Sequence, residues 1–199
     1  ARSEARNVGE LARRARTSAN VAAAESRHAF NSGDGTNSAI MLEKLGDELF
    51  EAKRSRLLAL MARLSYERGE VTLASGLKSN FYIDCKQSVL TEEGHFLVGS
   101  LLLTLVRQRS PSVEAIGGLT MGADPLASAV STLSYVSGPA LTAFYVRKEP
   151  KGHGTGQWME GGKSLRPGMP VAIVEDVVTT GGSALKAIAR AREFGLDIK

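Results

Sequence analysis

The fold of this chain is decided by the stretch Val171-Ala-Ile-Val-Glu-Asp-Val-Val-Thr-Thr-Gly-Gly-Ser183. Its four leading apolar residues follow the turn signal Pro167-Gly168-Met169-Pro170. Such a run predicts a strand that is covered on both faces of a parallel sheet. Glu175 and Asp176 come next, at the carboxyl end of that strand. Open α/β sheets bind their ligands at this edge, so the two acids are candidate binding residues.

The second half of the stretch predicts a phosphate-binding loop. It offers the hydroxyls of Thr179, Thr180 and Ser183, together with two glycines, directly before a helical pattern over 183–194. Backbone N–H groups at a helix start lack partners and carry the positive end of the helix dipole, so a phosphate can bind there. Two carboxylates beside the loop can accept hydrogen bonds from a vicinal diol. Together these features indicate ribose 5-phosphate, and the simpler alternative is a helix cap and glycine turn found in any α/β protein.

As an ordered whole, the stretch resembles the phosphoribosyl pyrophosphate (PRPP) signature of the type I phosphoribosyltransferases. A Walker-type P-loop is excluded, because no Gly-Lys-Ser/Thr follows. The resemblance implies that Glu175 and Asp176 hold the ribose diol. It also implies that the 5'-phosphate is wrapped by Val177, Val178, Thr179, Thr180, Gly181, Gly182 and Ser183.

The surrounding patterns predict one α/β domain with a central, mainly parallel sheet flanked by helices. At 199 residues the chain can bury one sizeable core. The predicted strands are 113–116, 141–146 and 171–174, and the predicted helices are 92–109, with Thr91 as N-cap, 125–133 and 183–194. A helix over 42–66 and a hairpin over 71–84 come before them, and 149–166 is predicted as a long loop without secondary structure.

Residues 1–40 are predicted to be a loosely ordered extension, and residues 41–199 the folded domain. The extension is rich in Ala, Arg, Ser and Asn, with six Arg against four acids. Its Arg content is similar to that of a transit peptide, but the four acids argue against one. A second alternative is that these residues lie upstream of the mature protein, with Met41 as its start.

Composition excludes two classes of partner. The net charge is +4, but residues 41–199 hold 19 basic and 17 acidic residues, so the folded part is nearly neutral. Without a clustered basic face or a reading motif, a nucleic-acid partner is not expected. No apolar run is long enough to span a membrane. The lone Cys85 cannot form an internal disulfide and favours a reducing compartment, so we expect a cytoplasmic protein with Cys85 buried.

The loop Arg147-Lys-Glu-Pro-Lys-Gly-His-Gly154 indicates which base is used. Its three cations and one histidine suit a mobile lid that closes over a polyanion, and a solvated charged loop is the alternative. The spacing Arg-Lys-x-x-Lys-x-His-Gly closely resembles the catalytic loop of the orotate phosphoribosyltransferase family, whereas adenine and hypoxanthine enzymes lack it. This resemblance implies that Arg147, Lys148, Lys151 and His153 bind PRPP, and that the catalytic residues are Lys151, His153 and Asp176.

Two further segments resemble the same family. The first is Gly117-Gly-Leu-Thr-Met-Gly-Ala-Asp124, which could be an ordinary turn but resembles the pyrophosphate loop, and this implies contacts from Thr120, Met121 and Gly122. The second is the hairpin around 73–84, which resembles the family's substrate hairpin. It implies that Tyr82 and Ile83 lie by the orotate ring, and Thr179 is expected to contact orotate as well.

The chain departs from the family pattern at two places. Ala74 stands where many members have a Lys that contacts PRPP. At the C-terminus, the family continues into a strand bearing an Arg for the orotate carboxylate, while this sequence stops at Lys199. We therefore expect the C-terminal strand to be missing and the base-binding half of the site to be incomplete.

Taken together, the resemblance implies a type I phosphoribosyltransferase fold with an N-terminal helix and hairpin hood. The implied reaction joins orotate to PRPP, giving orotidine 5'-monophosphate and pyrophosphate in pyrimidine biosynthesis. Mg²⁺ is the implied cofactor, with no protein ligand assigned to it. A homodimer that shares its lids between subunits is the implied assembly. The alternatives are a phosphoribosyltransferase for another base and a non-catalytic regulator that senses PRPP.

Overall fold

The computed structural model describes residues 35–72, 76, 78–150 and 158–199, with the backbone alone for 35–43. The chain divides into two units after Arg56, within the first helix. The predicted extension lies largely outside the described residues, and its boundary with the domain stays a prediction. In the described chain the first helix, α1, is already formed at Gly35.

The elements follow one another in an alternating order. They are α1 (Gly35–Leu64), β1 (Tyr66–Thr72), β2 (Lys78–Ile83), α2 (Lys86–Val89), α3 (Glu92–Arg109), β3 (Ala115–Leu119), α4 (Asp124–Ser137), β4 (Thr142–Val146), β5 (Met159–Glu160), a 3₁₀ turn (Gly162–Ser164), β6 (Pro170–Ile173), α5 (Gly182–Glu193) and β7 (Asp197–Ile198). No helix among the described residues is long and apolar enough to cross a membrane.

Two sheets are formed by these strands. β1 and β2 form an antiparallel hairpin, and the other five strands form a sheet in the order β5-β4-β3-β6-β7. All neighbours in the larger sheet are parallel except β4 and β5. The predicted α/β class with a mainly parallel sheet is thus confirmed. β3 lies at the centre, with β4 on one side and β6 on the other.

The core lies on both faces of the larger sheet. On one face Ala115 and Phe144 pack with Ala187 and Ala191 of α5. On the other face Ile116 packs with apolar side chains of α3 and α4. Successive residues of a strand point to opposite faces, which is why neighbours in β3 belong to different clusters. The helices therefore cover the sheet from both sides and leave its carboxyl edge for the loops.

Two glycines that the sequence placed in a turn belong to β3 instead. Gly117 pairs with both neighbouring strands and Gly118 pairs with Tyr145 of β4, and the turn begins only after Leu119. A Cβ on Gly117 would collide with Phe144, and a Cβ on Gly118 would collide with the carbonyl of Val174. Glycine is depleted in strands in general, but here neighbouring backbone and side chains approach too closely for any other residue.

The remaining differences concern element ends. The predicted loop 149–166 contains β5 and the 3₁₀ turn. β1 begins at Tyr66, so the hairpin starts earlier in the chain than the predicted residue 71. Near the C-terminus, where a missing strand is expected from the sequence, the two-residue strand β7 pairs in parallel with β6. The N-cap prediction is confirmed, because the Thr91 hydroxyl accepts a hydrogen bond from the Gly94 N–H at 3.0 Å.

Candidate active site

Three loops meet the carboxyl edge of three adjacent strands. Residues 147–148 follow β4, residues 120–122 follow β3, and residues 175–176 follow β6. Parallel strands end at the same edge of a sheet, so the predicted lid, pyrophosphate loop and ribose-binding acids leave it side by side. This topology brings together segments that are far apart in sequence.

Within this group, Gly122 lies close to Asp176. A Cβ built on Gly122 would lie 2.2 Å from Oδ1 of Asp176, so a larger residue here would displace the carboxylate. The Thr120 N–H donates to the Val146 carbonyl at 2.8 Å, which ties the start of the loop to the end of β4. The Thr120–Met121 peptide bond is cis, and the Met121 side chain is exposed. The predicted pyrophosphate loop therefore lies against Asp176, one of the two residues predicted to bind the ribose.

Glu175 lies in an environment that opposes its ionisation. Burial raises the pKa of the Glu175 carboxyl, and the neighbouring charge of Asp176 raises it further, while Lys148 acts in the opposite direction. Its Oε2 atom is buried and has no hydrogen-bond partner within the described chain. A buried acceptor of this kind gains a partner when a ligand hydroxyl reaches it. Glu175 is therefore chemically suited to bind a diol, as the sequence predicts.

The predicted phosphate loop is open to solvent. Val177, Val178, Thr179 and Thr180 are exposed, and Gly181 has the positive φ of 76° that favours glycine. Helix α5 begins at Gly182, where the sequence predicts Ser183, and the Leu185 N–H already bonds to the Gly181 carbonyl. The first N–H groups of a helix have no partner within the helix, so an anion can bind at this end of α5.

In the described part of the predicted lid, Arg147 has partners on β5 and in the lid itself. The Arg147 guanidinium pairs with Glu160 of β5 at 2.8 Å and donates from Nε to the Glu149 carbonyl at 3.2 Å. Lys148 is exposed, and its charge acts on Glu175. Lys151 and His153 lie outside the described residues, so their predicted roles stay predictions.

The predicted orotate contacts lie on the hairpin. Tyr82 and Ile83 end β2 and are both exposed. Tyr82 is one of the groups that raise the pKa of Lys86, which lies just beyond the strand. Ala74 is outside the described residues. Contact of Tyr82, Ile83 or Thr179 with orotate stays a prediction.

Three residues near the site were not assigned a role from the sequence. Cys85 is buried as predicted, and its thiol donates to the Asp176 carbonyl at 3.6 Å. Lys86 pairs with Asp84 at 2.9 Å. Asp124 Oδ1 is buried and has no hydrogen-bond partner among the described residues, and burial raises the pKa of this carboxyl. The sequence signal that could have indicated these residues is their position, because Cys85 and Lys86 follow a hairpin strand and Asp124 follows a glycine loop.

No group of three or more His, Cys, Asp or Glu side chains that could hold a metal ion occurs in the described ranges. The acids at the site come as the adjacent pair Glu175 and Asp176. A metal at this edge would need most of its oxygen ligands from a bound substrate or from water, as is usual for Mg²⁺.

Comparisons with known proteins agree with this geometry. No protein-family model matches the chain. It is 53% identical over 147 residues to the orotate phosphoribosyltransferase of Sorangium cellulosum (strain So ce56), covering 74% of this chain and 76% of that protein. The crystal structure of Mycobacterium tuberculosis H37Rv orotate phosphoribosyltransferase with Fe(III) dicitrate is similar at TM-score 0.62 and 37% identity, over 73% of this chain and 79% of the other. The same enzyme with PRPP bound gives TM-score 0.59 and 35% identity, over 73% and 78% of the two chains. On this identity and coverage, the chain belongs to the orotate phosphoribosyltransferase family.

Proposed function

We propose that the three loops at the carboxyl edge bind PRPP and that the chain transfers its ribose 5-phosphate group to orotate. The products are orotidine 5'-monophosphate and pyrophosphate. The observation that most supports this proposal is the approach of Gly122 to the Asp176 carboxylate. C1 of PRPP joins the ribose to the pyrophosphate, so a pyrophosphate loop and a ribose ligand must lie next to each other in such a site.

The reaction requires a site that stabilises separated charge. The bond from C1 to the pyrophosphate oxygen breaks, and the leaving group takes the electron pair. The ring nitrogen of orotate forms the new bond to C1 and gives up its proton to water or to the released pyrophosphate. By analogy with glycoside chemistry, C1 acquires positive charge in the transition state. Glu175 and Asp176 hold the ribose hydroxyls, and residues 177–183 hold the 5'-phosphate. Arg147, Lys148, Lys151 and His153 offset the charge on the pyrophosphate, with Lys151 acting in the transition state.

Mg²⁺ fits this site as a companion of the substrate. Glu175 and Asp176 are oxygen ligands of the kind that Mg²⁺ accepts, and the unpartnered Oε2 of Glu175 is available to a ligand or a water molecule. When bound with PRPP, the ion supplies positive charge that stabilises the leaving pyrophosphate. The protein residues orient the ribose and hold the pyrophosphate and the 5'-phosphate.

The assembly we propose is a homodimer in a reducing, cytoplasmic compartment. Large apolar side chains including Tyr135 and Val136 are exposed on the single chain, as expected for a protein that buries them against a partner. In this dimer the lid residues Lys151 and His153 of one subunit act in the site of the other.

Asp176→Asn tests the reaction itself. Loss of one charged ligand of the ribose is expected to lower kcat/KM by at least about a hundredfold, measured as orotate consumption with PRPP and Mg²⁺. Asp197→Asn is the matched control, because this exposed acid pairs with Lys199 in β7 and lies outside the proposed site. Full activity of Asp176→Asn, or consumption of adenine or hypoxanthine in place of orotate, would contradict the proposal.

The shared lid is tested by subunit exchange. Lys151→Ala and Asp176→Ala are each expected to be inactive alone, since each spoils every site of its own dimer. After mixing and exchange, one site of each mixed dimer contains both native residues, so about a quarter of the native activity should return on statistical exchange. No recovery, with exchange verified by native mass spectrometry, would show that each subunit uses its own lid.

A further inference from the structure

Lys86 lies where the hairpin, the pyrophosphate loop and the ribose-binding acids come together. It follows β2 and begins the short helix α2. It lines a cavity of about 330 Å³ together with Met121 of the pyrophosphate loop and Asp124. Interactions with Asp84, then with Asp176 and Tyr82, raise the pKa of the Lys86 ammonium, so it is charged at neutral pH. A permanent cation is therefore present beside the loop that binds the leaving group.

The pairing of Lys86 with Asp84 leaves this cation available to a ligand. Its Nζ is 2.9 Å from Asp84 Oδ1, with 42% of the lysine side chain exposed. Asp84 also accepts hydrogen bonds from the backbone N–H of Lys86 at 3.2 Å and from Gln87 Nε2 at 3.1 Å. Each oxygen of Asp84 thus keeps a partner when the ammonium turns away. The exchange of one anion for another costs little, because the carboxylate is not left unpaired.

The acids around this point favour an additional cation. Asp124 lines the same cavity, and the Asp176 carboxylate lies against Gly122. Both acids repel an incoming polyanion, while Arg147 is engaged with Glu160. Electrostatic attraction in a partly buried site is stronger than in water, so one lysine at this point has a measurable effect on anion binding.

We propose that Lys86 binds the pyrophosphate group of PRPP, as a cation contributed by the hairpin side of the site. This inference rests on the proposed function, since it assigns one further contact within the same reaction. In the free protein Asp84 holds the ammonium beside the pyrophosphate loop. On binding, the ammonium exchanges Asp84 for a phosphate oxygen.

The test compares Lys86→Gln with the matched control Lys199→Gln. Lys199 also pairs with an aspartate two residues before it, and its side chain is 41% exposed, so the control removes an equivalent lysine away from the site. Calorimetry with Mg²⁺ present would measure the dissociation constants of PRPP, inorganic pyrophosphate, ribose 5-phosphate and orotate. For Lys86→Gln we expect those of PRPP and pyrophosphate to rise about tenfold, and those of ribose 5-phosphate and orotate to stay unchanged.

Two further readings separate binding from a structural role. Lys86→Arg keeps the charge and should bind pyrophosphate within about threefold of the native chain. The dissociation constant for pyrophosphate should depend less on salt in Lys86→Gln than in the native chain, since one ion contact is lost. Unchanged pyrophosphate binding in Lys86→Gln, or weakening confined to orotate, would overturn the inference while leaving the reaction intact. A native chain that neither binds PRPP nor consumes orotate would overturn the proposed function and the inference together.

Discussion

β3 and the hairpin β1–β2 are built in opposite ways, although both contribute to the proposed site. All five residues of β3 are buried, and it pairs with a strand on each side. No residue of β1 or β2 is buried, and the two strands pair only with each other in the described chain. An isolated two-stranded sheet is marginal in water, whereas a central strand is among the most stable parts of a protein.

The difference shows that the two substrates are bound by regions of different rigidity. The residues proposed for PRPP follow strands of the rigid sheet, which holds the loops in place before the ligand binds. Of the residues proposed for orotate, Tyr82 and Ile83 lie on an exposed hairpin, whose position depends on few contacts. The two regions are linked at Cys85 and Lys86, directly after β2, where the Cys85 thiol bonds to the Asp176 carbonyl.

The largest effect is expected from a phenylalanine in each region. Phe144 is fully buried on β4 against Gly117, so Phe144→Ala should lower the free energy of unfolding by about 3–5 kcal/mol. Phe81 is partly exposed on β2 and stacks on Tyr66 at a centroid distance of 6.1 Å. Phe81→Ala should lower it by about 1 kcal/mol. Urea denaturation followed by circular dichroism measures both, and equal losses would contradict the contrast between the regions.

Much of the larger sheet is predictable from sequence because its strands are continuous apolar runs. The runs ending at Val146 and Val174 mark β4 and β6, and the acids after β6 can be recognised from their order. β3 was located less well, because its glycines resemble a turn. That Gly117 belongs to a strand follows only from the approach of Phe144, which is distant in sequence.

The contacts around the site could not be predicted for the same reason. Lys86 and Asp176 are ninety residues apart, and no local pattern indicates that their charges interact. The engagement of Arg147 by Glu160 depends on β5, a two-residue strand too short to produce a periodic signal. Sequence order identifies which loops carry the chemistry, while the sheet topology decides which side chains meet.

A smaller effect concerns pH, because an acid in each region should affect the stability of the fold in opposite directions. Asp84 follows the hairpin, and the side-chain hydrogen bond from Lys86, then that from Gln87, lowers the pKa of its carboxyl. Glu175 follows the core strand β6, and burial, then the charge of Asp176, raises its pKa. A lowered pKa stabilises the fold above the unfolded value, and this gain is lost as pH falls through the folded pKa. A raised pKa has the opposite sign, so ionised Glu175 destabilises the fold at neutral pH.

The two acids should therefore respond oppositely to neutral substitutes. At about pH 7, Asp84→Asn is expected to lower the urea midpoint, because it removes a favourable charge, and Glu175→Gln is expected to raise it, because it removes an unfavourable one. Both differences should shrink towards about pH 4, where the unfolded carboxyls begin to protonate. Urea midpoints of the native chain and both variants at the two pH values measure this. A midpoint for Glu175→Gln that falls at neutral pH would mean that Glu175 stabilises the core edge through contacts stronger than its burial opposes. The Glu175 carboxylate would then already be ionised and hydrogen-bonded in the free protein, and it would not need a bound diol to supply its partner, contrary to our proposal.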